Sequence, residues 1–143
     1  MKLELVTLTG LKFSDDVYEV VLPTGTGTIA VFKNHMPLVT LATPGVISVR
    51  HTASTTDDKM DHFATNGGVI EIGNDYVRVL VDEADHADEI VESEARSALE
   101  RAQKLRAEAK DKVSLEHAQA LVDRHAVRLK VAELRRRHRS RGL

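Results

Sequence analysis

Apolar and polar side chains alternate along much of the first half of the chain. Leu3 and Leu5 flank Glu4, and residues 16–22 and 28–32 continue with many β-branched side chains. A period of two with such residues is typical of strands that pack on one or both faces. Glycine, proline and asparagine interrupt these runs at short intervals. About eight to ten short strands at this spacing predict an antiparallel β-sandwich over residues 1–84.

The positions of glycine and proline set the strand limits in this interpretation. We expect turns at residues 9–12, 23–27, 44–45, 66–68 and 73–75, because glycine adopts positive φ at little cost and proline removes a backbone donor. The polar residues 52–61 predict an exposed hairpin tip. The strands on either side of residues 44–45 and 66–68 are therefore expected to be separate and short.

The hydrophobic period lengthens after residue 84 to that of an α-helix. One apolar stripe consists of Val91, Ala95, Ala98, Ala102, Leu105 and Ala109. Ser114 is the predicted N-cap of a second helix, whose stripe is Leu115, Ala118, Val122, His125 or Ala126, Leu129 and Ala132. The short connection predicts an antiparallel helical hairpin over residues 85–143. Alanine buries little apolar area, so we expect this arm to pack weakly and to detach or rearrange.

Charge is unevenly distributed although the net charge is only −2. Residues 82–94 contain seven acids and no lysine or arginine, whereas residues 124–143 contain eight lysines or arginines and one acid. For the basic tail, the residues leave open a solvated helix end, contact with an acidic protein surface, or nucleic-acid binding. No aromatic side chains interleave the arginines, so base stacking is not expected.

Residues typical of catalysis or of cofactor binding form no recognisable pattern. There is no cysteine, no glycine-rich phosphate loop and no nucleophile elbow. The spacing of the seven histidines does not place two ligands on one helix face. His51 and His62 could pair across a hairpin, but we favour solvated surface histidines. We therefore predict a non-enzyme with no cofactor and no metal.

An apolar loop tip stands out between two predicted strands. Asn34, His35, Met36, Pro37 and Leu38 follow Lys33. A tip of this kind either folds back into its own core or contacts another protein.

The order of several short motifs resembles the epsilon subunit family of bacterial F-type ATP synthase, which is called delta in mitochondria. The matching positions are Val17, Val20, Leu22 and Pro23; Gly27 and Ile29; Asn34, His35, Pro37, Leu38 and Thr40; residues 44–47; Gly67, Gly68, Val69, Glu71 and Ile72; Val77, Val79, Leu80 and Asp82; residues 87–90; and residues 100–102. The resemblance extends from residue 3 to about residue 138.

This resemblance implies a non-catalytic rotor subunit in the central stalk of a proton-translocating ATP synthase. The sandwich of such a subunit binds the γ subunit and sits on the membrane c ring, which the loop of Asn34, His35, Met36, Pro37 and Leu38 would face. The helical arm enters the α/β catalytic head and hinders ATP hydrolysis. Basic residues in position to contact an acidic segment of β are Arg124, Arg128, Lys130, Arg135, Arg136 and Arg137.

One departure from the family concerns ATP. Some members bind ATP through an Ile-Asp-x-x-Arg-Ala motif, but here Val91 stands at the aspartate position and Glu94 at the arginine position. Extra carboxylates would repel a triphosphate, so we predict no ATP binding by the isolated chain.

The expected location is peripheral, on the cytoplasmic face of the plasma membrane, without membrane insertion or nucleic-acid binding. The alternatives are a generic β-sandwich adaptor, a small hydrolase or metal-binding enzyme, and a protein that binds nucleic acid through the basic tail.

Overall fold

Eight strands and two helices make up residues 1–141, the part of the chain that the computed structural model describes. The strands are β1 Lys2–Thr7, β2 Gly10–Asp16, β3 Glu19–Thr24, β4 Gly27–Phe32, β5 Leu38–Arg50, β6 Asp61–Gly73, β7 Tyr76–Val81 and β8 Ala84–His86. The helices are α1 Glu92–Glu108 and α2 Lys112–Arg141, and the 3₁₀ turns Asp57–Lys59 and Ala87–Glu89 precede β6 and α1. The predicted combination of a β-sandwich and a helical hairpin is therefore confirmed.

Two long strands join the layers of the sandwich. The sheet order is β2-β1-β7-β6-β5-β3-β4, with β8 paired to β6. The first half of β5 pairs with the second half of β6, and the remaining halves pair with each other. One layer therefore contains β2, β1 and β7, and the other contains β4, β3 and β8. All the pairings are antiparallel except that of β1 with β7.

Aliphatic side chains fill the space between the layers. Leu3 and Leu5 of β1 meet Leu22 of β3 and Ile47 of β5 in one buried cluster, which Phe63 of β6 completes. Residues at alternate positions of each strand supply this core, as the period of two predicts.

The predicted breaks inside β5 and β6 are wrong. Pro44 and Gly45 pair with Asn66 and Thr65 within one ladder, so these residues lie inside two bent strands and do not end them. At the bend, the backbone of β6 at Gly68 (φ +157°) lies very close to β7. A Cβ at this position would lie 2.0 Å from the carbonyl oxygen of Leu80, so the bend requires glycine. The predicted turn at residues 9–12 is also wrong in part, since β2 starts at Gly10.

The two helices pack against each other, and α2 also packs against the outer face of the second layer. Ala95 and Ala102 of α1 and Ala118 and Val122 of α2 are buried, as predicted for the apolar seam. Leu105, by contrast, is 45% exposed, so the first stripe contributes less apolar burial than expected.

The cap of the second helix differs from the sequence prediction. Asp111 Oδ1 accepts the backbone N–H of Ser114 at 2.8 Å, so Asp111 fills the role expected of Ser114. This hydrogen bond lowers the pKa of the Asp111 carboxyl below its ordinary value.

The second half of α2 covers the sandwich. Val131 and Ala132 form a buried cluster with Ala64 of β6 and with Ala87 and Ile90 of the segment before α1. The outer face of one layer is thus covered by the chain's own helix. The division into a sandwich domain of residues 1–84 and a helical domain of residues 85–143 stays a proposal. Strand β8 pairs with β6 across this boundary, and residues 142–143 lie outside the described part.

Candidate interaction surfaces

The outer face of the first layer carries a row of five apolar side chains, four of them exposed and Val6 half-buried. Leu41 of β5 lies beside Val69 of β6, which lies beside Leu80 of β7. Leu80 pairs with Val6 of β1, and Val6 pairs with Leu11 of β2. Leu41 is 69% exposed and Leu11 is 61% exposed. We call these five residues the apolar row; it crosses five strands, and contiguous exposed patches of this kind mark interaction sites.

The neighbouring rung of the sheet is charged but internally paired. Glu4, Arg78 and Glu71 lie side by side on β1, β7 and β6. The guanidinium of Arg78 is 3.4 Å from the carboxylate of Glu71 and 3.9 Å from that of Glu4, and Tyr76 donates its hydroxyl to Glu71 at 2.9 Å. These contacts restrain the charged side chains beside the apolar row.

The loop between β4 and β5 presents its apolar tip to solvent. Met36 is 72% exposed, and Leu38 is partly exposed. Asn34 has φ +67°, a left-handed conformation that asparagine tolerates. The ring Nδ1–H of His35 donates to the carbonyl of Met36 at 2.6 Å. Of the two interpretations of the tip, burial in its own core does not hold for Met36, and contact with another protein stays a prediction.

The acidic segment and the basic helix, which the sequence presents as separate features, meet each other. Arg124 Nε lies 2.8 Å from Glu83, and Arg128 Nε lies 3.2 Å from Asp85. Arg136 lies 3.6 Å from Glu92. We call the acids Glu83, Asp85, Asp88 and Glu92 the acidic segment.

Arg135 makes the best-aligned contact of the basic face. Its guanidinium donates to the carbonyl oxygens of Ala87 at 2.6 Å and Ile90 at 3.1 Å, next to the buried cluster under α2. Lys130 and Arg137 are exposed. A half-exposed ion pair contributes only about 0.2–1 kcal/mol, so the docked arm is held by several weak contacts and a small apolar cluster.

Histidines gather where the end of α2 meets the sandwich. Asp61 is bridged by two imidazoles, His51 Nε2 at 2.5 Å and His86 Nε2 at 2.9 Å. Burial raises the pKa of Asp61, but these two hydrogen bonds outweigh burial and hold the pKa below its ordinary value. The ring centroid of His62 lies 5.4 Å from that of His138 on α2, with the two ring planes tilted by 45°.

The expectation of solvated histidines is therefore wrong for His62, which is 8% exposed. His62 pairs across the hairpin with Ser48, and His51 contacts Asp61 instead of His62. Sequence reasoning missed this because the cover comes from α2, some seventy residues later in the chain.

The positions that carry the ATP motif elsewhere in the family lie beside a groove between the helices. Val91 and Glu94 line it together with Arg101, His125 and Arg128. Burial, followed by the nearby arginines, lowers the pKa of His125. The carboxylate of Glu94 thus stands on the groove wall, where a bound anion would meet it.

Two further observations apply to residues 1–141. No helix in this part of the chain combines the length and the apolar composition needed to cross a bilayer. No group of three or more potential metal-ligating side chains is placed to hold a metal ion among these residues.

The family model and the related sequences that match this chain all indicate the same family. The family described as ATP synthase, Delta/Epsilon chain, beta-sandwich domain matches residues 1–87. The ATP synthase epsilon chain of Sulfurihydrogenibium sp. is 38% identical over 117 residues, which cover 81% of this chain and 84% of the relative. That of Herpetosiphon aurantiacus is 32% identical over 137 residues, which cover 95% and 96% respectively.

Solved structures show the same fold. A chain of the Euglena gracilis mitochondrial ATP synthase with OSCP, F1 and c-ring aligns with a TM-score of 0.77 at 20% identity, covering 92% of this chain and 79% of that one. A chain of the Tetrahymena thermophila central stalk and c-ring aligns with a TM-score of 0.62 at 13% identity, covering 92% and 96%. From the family match and the relatives of similar sequence, this chain belongs to the delta/epsilon family of F-type ATP synthase subunits.

Proposed function

We propose that this chain joins the γ subunit to the c ring in the central stalk of a proton-translocating F-type ATP synthase, and that its helical arm restrains ATP hydrolysis when it leaves the sandwich. As a family member it is an accessory, non-catalytic rotor subunit. The proposed location is peripheral, on the cytoplasmic face of the plasma membrane. The observation that carries this proposal is the unequal cover of the two sandwich faces.

The apolar row is the proposed γ-binding surface. The opposite outer face is covered by α2, whereas the face with Leu41, Leu80 and Leu11 has no cover within the described chain. A subunit that transmits torque needs a broad contact, and a row across five strands provides one on a rigid sheet. The paired charges of the next rung resist rearrangement when γ binds.

The loop tip is the proposed c-ring contact. Met36 and Leu38 project at the end of the sandwich where β4 ends and β5 begins. Phe32, also partly exposed, packs its ring edge-on against Tyr18 with centroids 5.7 Å apart. The loop would therefore bind the ring as one restrained unit, supported by this aromatic pair. It consists of Asn34, His35, Met36, Pro37 and Leu38.

The arm is the proposed inhibitory element. Arg124, Arg128, Arg135 and Arg136 face the acidic segment or carbonyl groups of their own chain, and Lys130 and Arg137 are exposed. An acidic segment of β would compete for the same guanidinium groups after release. Because each pair is weak in water, exchange between the two acidic surfaces changes the electrostatic free energy only a little.

Two experiments test these assignments. Pull-down of γ and the c ring by the tagged chain should lose the ring but keep γ when Met36 and Leu38 are both changed to Asp. Deletion of residues 124–143 should raise ATP hydrolysis by the assembled complex. Retention of the ring by the double variant would refute the loop assignment, and unchanged hydrolysis would refute the inhibitory role.

A further inference from the structure

The contact between the end of α2 and the sandwich places an imidazole where a proton is disfavoured. His62 on β6 is buried under α2, and its Nδ1 lies 2.8 Å from Ser48 Oγ. Its Nε2 is buried without a hydrogen-bond partner. A protonated ring carries an N–H at both nitrogens, and nothing accepts the one at Nε2, which is costly in a buried position.

We propose that the docked arm is a proton-sensitive latch, in which His62 must stay neutral while α2 lies on the sandwich and takes up a proton when α2 leaves. The inference deepens the proposed function, on which its regulatory meaning rests: acidification would release the arm toward the catalytic head. The undocking of α2 with protonation of His62 involves this chain alone.

The groups that α2 brings to His62 oppose a positive charge there. The ring of His138 lies against that of His62 at a tilted angle, and Arg135 and Arg139 line the same cleft. Burial first, and then the facing charge of His138, lowers the pKa of His62. Removal of the helix would take away the cover and these cations together.

The groups on the sandwich side are mixed in charge. Asp58 and Lys59 line the cleft from the 3₁₀ turn before β6, and Asp88 lines it from the turn before α1. Asp61 and His86 act on His62 in opposite directions, the carboxylate raising its pKa and the imidazole lowering it. Asp61 is already hydrogen-bonded to His51 and His86, and neither it nor Asp88 is a partner of His62 Nε2.

His125 is a second buried imidazole of this kind, in the groove between α1 and α2. Its Nδ1 is buried without a partner, and it lies in the groove with Arg101 and Arg128. Burial and the neighbouring Arg124, Arg128 and Arg101 lower its pKa, against a small opposing effect of Glu83. Separation of the helices would relieve this group as well.

The direction of the pH effect follows from linkage. A histidine that binds protons less readily in the docked state has no effect on docking above its released pKa of about 6.5, where it is neutral in both states, and opposes docking below that pH. The equilibrium constant for release then rises by up to about tenfold per pH unit for each such histidine. Carboxylic acids in water generally titrate near about pH 4, so the range from about pH 7 to 5.5 isolates the ionisation of histidine.

Spin labels report the docking directly, because the chain has no native cysteine. Ser54→Cys and Ser140→Cys place labels at exposed positions on the sandwich and near the end of α2, and pulsed EPR measures their separation. We expect one short distance at about pH 8 and a growing population of longer distances below about pH 6.5. A distance distribution that does not change down to about pH 5.5 overturns the proposal.

Two histidine variants and one titration make the test specific. His62→Gln should reduce the pH dependence, whereas His117→Gln, at an exposed position on α2, should leave it unchanged. NMR titration of His62 in the unsubstituted chain needs no variant to fold, and should show protonation together with release. Equal pH profiles for the two variants, or protonation of His62 with the helix still docked, would contradict the proposal; loss of γ or ring binding would not bear on it.

Discussion

Removing a side chain from the apolar row should weaken γ binding by a predictable amount. Full burial of a leucine contributes about 1.5–3 kcal/mol, and the Leu41 side chain is 69% exposed, so about two thirds of that remains to be gained on binding. Leu41→Ala should therefore cost about 1–2 kcal/mol, or about 5- to 30-fold in Kd. Calorimetry with purified γ measures this change directly.

A second position at the other edge of the row makes the prediction sharper. Leu11 is 61% exposed and is four strand spacings, about 19 Å, from Leu41, so the two effects should add. The double variant should lose about 2–4 kcal/mol of binding free energy, or about 30- to 1,000-fold in affinity.

A matched control separates binding from folding. Leu115 on α2 is similarly exposed, at 47%, but lies away from the row, so Leu115→Ala should leave Kd unchanged. All three leucines are exposed, and such substitutions alter the free energy of unfolding by only about 0.5 kcal/mol. Wild-type affinity for γ in the double variant, with normal thermal unfolding, would refute the assignment of this face.

Three further predictions concern other parts of the molecule. Gly68→Ala should lower the free energy of unfolding by about 2–4 kcal/mol in denaturant titrations, because its Cβ would collide with the Leu80 carbonyl; a change below 1 kcal/mol would contradict the tight bend. Asp111→Ala should cost about 1 kcal/mol and speed amide exchange in the first turn of α2, with Lys110→Ala as the unaffected comparison. Millimolar ATP should give neither a thermal shift nor calorimetric heat with the isolated chain, because Glu94 lines the groove between the helices; a clear shift would overturn this.

Local pattern was enough to predict the architecture but not the strand limits. The alternation around Leu3 and Leu5 and the helical stripe of Ala95 and Ala102 identify buried faces correctly. Pro44 and Gly45 look like a turn because they break regular strands, yet in a bent strand shared by two layers they lie where the ladder changes direction. Only the pairing with a distant strand distinguishes these cases.

The interaction surfaces were predictable in composition but not in position. Val39 and Leu41 alternate as on a buried face, yet both are exposed, and recognising the row requires the register with β6, β7, β1 and β2. The acids of residues 82–94 and the arginines of α2 are both conspicuous in the sequence. Their mutual pairing depends on α2 folding back over β6, which no local pattern specifies.

The resemblance to F-type ATP synthase epsilon subunits is confirmed by the family match and by relatives along most of the chain. The roles of Met36 and Leu38 and of the six basic residues on α2 remain proposals. Binding of nucleic acid through the tail is not favoured, since the arginines contact acids and carbonyl groups of their own chain.

The claim that two separate surfaces of one rigid sandwich bind two partners is tested most directly by a crossed pull-down. Two tagged double variants are compared, one with Leu11→Asp and Leu41→Asp and the other with Met36→Asp and Leu38→Asp. Each variant is incubated separately with γ and with the c ring, and the captured amount of each partner is measured. We expect the first variant to lose γ and the second to keep γ and lose direct contact with the ring. Loss of the same partner by both variants, or of neither, would contradict the account.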